Sequence, residues 1–121
     1  MRTYTLILPR VPISQNSDEW RHRYTQLNYR ATWQREIWVL CKEQRIPPLE
    51  GVRLSAIVYW SDRRRRDLDN HFAPIFKAVQ DALMDAGVIP ADDPRYIPEL
   101  PGLRFDFDKL YPRTEITISE V

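Results

Sequence analysis

Cysteine is almost missing from this sequence. Cys41 stands alone, so no disulfide can form within the chain, and a reducing compartment, the cytoplasm, is the expected location. Histidine is scarce too. One thiol and two imidazoles, His22 and His71, make a poor ligand supply for zinc, so a bound metal would rest on carboxylates. No apolar run approaches the length of a membrane span. The opening MRTYTLILPR carries too short an apolar stretch for a signal peptide, so no membrane partner is expected. Repeats, low-complexity tracts and linkers are also absent. The 121 residues are therefore expected to form one domain, 1–121, long enough for a single core but not for two.

A net charge of +1 does not by itself announce a nucleic-acid binder, but its distribution is informative. The first part of the chain is basic. Acid gathers after the arginine run Arg63 to Arg66, where Lys77 is the only cationic side chain before Arg95. Basic flanks around an acidic spot suit a polyanion brought to a metal.

Residues 3–8 alternate polar and apolar and read as a strand. A Pro-broken turn follows. Arg21 to Arg45 reads as a long helix, with Tyr24, Leu27 and Ala31, then Trp33, Ile37, Leu40 and Cys41, near helical spacing. Ser17 or Asp18 would cap it, and Pro47 and Pro48 would stop it. Val52 to Trp60, rich in β-branched and aromatic residues, reads as a second strand. A second helix is expected from about Asn70 to Ala86, with Phe72, Ile75, Phe76, Val79, Ala82 and Leu83 as its apolar stripe and Gly87 as its stop. Pro74 is expected in its first turn, because deeper in a helix it would clash and lose a bond. Leu103 to Asp108 and Glu115 to Ser119 read as closing strands. The order β-α-β-α-β-β implies an α+β domain with a small mixed sheet and two main helices.

The stretch DRRRRDLDN, residues 62–70, raises the functional question. Four adjacent guanidinium groups repel one another, as do two aspartates on one face. On an extended backbone Asp67 and Asp69 project together. A hard divalent cation, magnesium above all, would relieve that repulsion, since it takes oxygen ligands and often only one or two carboxylates. Asn70 would cap the following helix, whose N-terminus favours phosphate, and the arginines would bind phosphate oxygens. The plain alternative is a solvated loop whose charges pair across a turn. Asp92 and Asp93 sit in a later loop from which a third carboxylate would return, or they are only a polar turn beside Pro90 and Pro94. Lys77 falls nearly on the same helical side as Asn70, or is an ordinary surface lysine. Arg21, His22, Arg23 and Tyr24 beside Trp20 would line a DNA surface or belong to the helix core. Asp106 and Asp108 would make a second acidic patch or, since they alternate with Phe105 and Phe107, a solvated outer face, which the alternation favours.

Over most of its length the chain resembles the RusA-type Holliday junction resolvases, small phage- and prophage-associated endonucleases. The carriers are LPRVPISQN after the first strand, DRRRRDLDN, KAVQDAL followed by Ala86 and Gly87, the paired aspartates, and the closing EITISE. The resemblance implies a magnesium-dependent, homodimeric endodeoxyribonuclease that resolves four-way junctions in DNA recombination and repair. Asp67, Asp69 and Asp93 would be the catalytic and metal-binding carboxylates, with Asp92 the substitute for Asp93. Lys77 would be the catalytic lysine, Asn70 a supporting polar group, and Arg63, Arg64, Arg65, Arg66, Arg21 and Arg23 the DNA contacts. Lys77 lies about one helical turn, roughly 6 Å, further along than the family's lysine. The competing reading is a branched-DNA-binding protein that does not cut.

Overall fold

A computed structural model describes residues 1–121. Period-two alternation fixes the sheet. In β1 (Thr3–Leu8), Leu6 and Leu8 are buried, and in β2 (Val52–Trp60) every second residue from Val52 to Trp60 is buried. The strands β3 (Gly102–Phe107) and β4 (Arg113–Glu120) complete a four-stranded mixed sheet in the order β1-β4-β2-β3. Only β2 and β3 run parallel to each other. Register keeps the buried residues level: Leu54 faces Ile118, Ala56 faces Ile116, and Leu6 faces Ile116 from the other side. The closing strands, although five residues apart, do not pair, because β2 lies between them.

One face of this sheet packs on the helices, in the α+β arrangement and element order expected from the sequence. The long helix differs in detail from its expectation. His22 is extended (φ −80°, ψ 116°), which splits a short α1 (Asp18–Arg21) from α2 (Arg23–Glu43). Ser17 caps α1 rather than α2, its Oγ accepting from Trp20 N. The buried stripe of α2 is Tyr29, Trp33, Ile37 and Cys41, while Tyr24, Leu27 and Ala31 lie on the opposite, solvent side. Arg45 in the left-handed region (φ 54°) ends α2 before Pro47 is reached, with Ile46 N bonded back to Cys41 O.

The second major helix, α3 (Asp69–Asp85), buries Ile75, Phe76, Val79, Ala82 and Leu83 as its spacing predicts. Gly87 (φ 76°) terminates it, with Val88 N donating to Leu83 O. Pro74, however, lies in the second turn, not the first. Its missing N–H releases the carbonyl of Asn70, which accepts instead from Gln15 N at 2.8 Å. The orphan created by the proline thus docks the 11–17 segment onto the start of α3.

Candidate functional site

The arginine run leaves the C-terminal end of β2, a central strand with a parallel neighbour, where sheets of this kind commonly place ligands. Residues 61–68 form an irregular loop there. The four arginines are not equivalent. Arg66 lies 4.0 Å over the Trp60 ring, donates to Asp62 Oδ1 at 2.8 Å and also bonds the carbonyls of Asp62 and Arg64. Its side chain is only 14% exposed. Arg63 stacks 4.3 Å over Phe107. Arg64 stays 3.5 Å from Asp62 Oδ2, while Arg65 has no charged partner. The repulsion in the run is therefore relieved by one carboxylate and two aromatic faces. Asp62 is held below the usual carboxylate range by the Arg64 backbone N–H and then by the Arg66 side chain.

Arg64, Arg65 and Arg66 line two depressions. One, of about 360 Å³, is walled by Trp60, Asp62, Arg63, Phe105, Asp106 and Phe107. The other, of about 470 Å³, is walled by Ser14, Asn16, Ser17, Asp67, Asn70 and His71. Across the second, the 14–17 segment is joined to the start of α3 by the bond from Gln15 N to the Asn70 carbonyl.

Asp67 and Asp69 sit where the loop becomes helix. Leu68 is already helical (φ −62°, ψ −43°), so the extended alternation expected for this pair does not apply. Leu68 also holds the cap position, with no side-chain bond. Asn70 is inside the first turn, and its Nδ2 reaches Asp67 Oδ2 at 3.5 Å. Neither Asp67 nor Asp69 forms an ion pair, although four arginines precede them. Asp69 in the first turn suits the helix dipole.

The remaining expected residues have partners or surroundings of their own. Asp93 is claimed by Arg95, which donates to it from its backbone N (3.0 Å), Nε (3.0 Å) and Nη2 (2.7 Å); the guanidinium lowers the carboxyl below its ordinary range. Asp92 lines a separate depression with Gln80, Pro94 and Ile97. Lys77 Nζ lies 3.5 Å from Asp81 Oδ1. No three His, Cys, Asp or Glu side chains gather in a way that could hold a metal ion. The structure thus keeps Asp67 and Asn70 together beside the arginines; Asp69 follows in the first turn of α3, and no third acidic or imidazole side chain joins them in a metal-holding group. Arg21 and Arg23 are exposed, Arg21 3.6 Å from Asp18, whereas Trp20 is buried edge-on to Tyr29. Cys41 is buried in the core, and that burial pushes its thiol up to about 11.

His71 is the residue whose role the sequence conceals. It is 5% exposed, with its ring against Trp60 and Phe105. Its Nδ1 lies 2.6 Å from the carbonyl oxygen of Asp67; a carbonyl only accepts, so Nδ1 carries the proton and donates. His71 therefore fixes the backbone that bears Asp67. The period of β2, which turns Trp60 inward, was the available signal for this aromatic support.

No model of a known protein family matches the chain, and no curated protein matches it either.

Proposed function

We propose that this protein is a magnesium-dependent endodeoxyribonuclease of branched DNA, four-way junctions foremost, acting as a homodimer. The observation that carries the reading is Asp67, free of internal ion pairs in the wall of an arginine-lined depression, with the equally unpaired Asp69 two residues further on. The donor set is all oxygen and suits Mg²⁺, which commonly takes one or two carboxylates and completes its shell with water and phosphate oxygens. It does not amount to three carboxylates. Asp67 and Asp69 would hold the ion, which would supply Lewis acidity at the scissile phosphate and lower the pKa of an attacking water.

The chain's own residues do the rest. Arg64 and Arg65 bind backbone phosphates, because they are the least committed of the run. Arg66, locked on Trp60, shapes the loop. His71 and Asn70 hold the backbone and the carboxylate of Asp67. Lys77, about 10 Å along α3 from Asn70, would meet a phosphate further down the strand. A twofold dimer would present two such sites to opposed strands of a junction, giving paired nicks.

The separate engagement of Asp93 with Arg95 and of Lys77 with Asp81 favours a second reading, a branched-DNA binder that does not cut. A labelled four-way junction incubated with and without Mg²⁺ decides between them. Nicks that require Mg²⁺ and vanish in Asp69→Asn support the nuclease. Metal-independent binding without nicks supports the binder.

A further inference from the structure

The loop from Asp108 to Pro112 joins β3 to β4 and so crosses the end of β2, beside the arginine loop. Asp108 N donates to Trp60 O at 2.8 Å, and Phe107, just before the loop, carries the stacked Arg63. At its tip Leu110 is 92% exposed and Tyr111 is 52% exposed. An apolar tip of this kind would ordinarily be loose. Here it is braced. Asp108 Oδ1 accepts from the backbone N–H groups of both Leu110 (3.2 Å) and Tyr111 (3.1 Å). Arg113 donates to Asp108 Oδ2 and to the Tyr111 carbonyl, both at 2.8 Å, and to Glu115 at 2.7 Å. Its guanidinium lies between the rings of Tyr59, at 3.9 Å, and Tyr111, at 5.1 Å. Pro112 fixes a further backbone angle.

A leucine in water, held on a rigid tip beside a row of guanidinium groups, has the features of an apolar wedge. Side chains of this kind enter base steps that are already weakly stacked, while neighbouring cations hold the phosphates. Tyr111 has one face on Arg113 and is half exposed, which suits stacking on a base. We propose that Leu110, with Tyr111 behind it, inserts at the branch point of a DNA junction and gives this protein its preference for branched over linear DNA. The inference rests on the nucleic-acid reading above. A continuous duplex offers no opened step at the spacing of the tip, so the wedge would act on junctions alone, whereas the arginines would act on both.

The test uses the full chain in EDTA, a four-way junction carrying 2-aminopurine at its branch point, and a linear duplex of the same sequence. Leu110→Ser is expected to weaken junction binding about tenfold, leave duplex binding unchanged and abolish the fluorescence rise seen with the wild type. Leu110→Phe is expected to keep all three properties. Because Leu110 touches almost nothing, both variants should melt as the wild type does. Equal loss on junction and duplex, or wild-type junction binding by Leu110→Ser, overturns the wedge while leaving the DNA reading standing. Absence of binding by the wild type to either DNA overturns both. A change in oligomeric state of Leu110→Ser by light scattering, with junction binding intact, makes the tip a protein contact and also overturns the wedge.

Discussion

The 61–68 loop and the 108–112 loop leave the same end of the sheet, one from β2 and the other from β3, and they handle charge in opposite ways. Around Arg113 each charge is matched internally: Asp108 and Glu115 accept from it, and Tyr59 and Tyr111 cover its faces. Those contacts lower the carboxyl of Asp108 and raise the guanidinium of Arg113. Around Arg66 one arginine is matched in the same manner, but Arg65, Asp67 and Asp69 are left without ionic partners. A charge satisfied within the fold stabilises it. A charge left open at a braced position is available to something outside.

The largest expected break in this comparison is catalytic. Asp67→Asn and Asp69→Asn should each lower Mg²⁺-dependent nicking by at least about 100-fold, beyond the loss seen when a mere supporting partner of a metal ligand is removed. Melting in EDTA should be unchanged or slightly higher for Asp67→Asn, which removes an unpaired charge, and only slightly lower for Asp69→Asn, which gives up a favourable place in the first turn of α3. A clear fall in melting temperature for either would assign it to the folded scaffold instead. Next in size, Arg113→Gln should lower the melting temperature markedly, whereas Arg65→Gln should not move it. Arg65→Gln should instead weaken binding to all DNA and reduce the slope of log affinity against log salt by about one. An unaltered salt slope would remove Arg65 from the phosphate contacts.

A smaller effect sharpens the same contrast from the other end of the sheet. Glu120 is drawn from its ordinary 4.5 to about 2 by the Arg2 guanidinium, which donates to it at 2.9 and 3.0 Å. A carboxyl depressed on folding contributes stability above its unfolded pKa and loses it as pH falls through the folded one. The Arg2–Glu120 contribution should therefore be intact above about pH 4.5 and fade toward pH 2. Glu120→Gln should flatten that part of the acid melting profile. The smallest effect concerns the joint under the polar depression. Pro74→Ala returns an N–H to the helix, which then competes with Gln15 for the Asn70 carbonyl, so amide exchange at Gln15 should speed up while the fold persists.

Alternation and helical spacing made most of the architecture legible. β1 and β2 can be read residue by residue, and the buried stripe of α3 lies where its spacing puts it. The first turns of α2 were misleading because the helix carries two apolar stripes on opposite sides, and periodicity alone does not say which one meets the sheet. Pro74 misled for a different reason. The rule against proline within a helix assumes that the freed carbonyl has no other donor, and Gln15 supplies one from far along the chain. At the site, the concentration of opposite charges in DRRRRDLDN was plain in its residue types. The division of labour among the arginines was not, since it depends on Trp60 and Phe107 standing level across two strands. His71 was hidden because its partner is a backbone carbonyl, which carries no sequence signal.

The bond between Gln15 and Asn70 has a mechanical consequence. One rim of the polar depression is fastened to its floor, so parting the two costs that hydrogen bond. If the protein binds DNA as proposed, grip on a strand would rest on the long, swivelling ends of Arg64 and Arg65, and the speed of release would follow their motion rather than that of a lid.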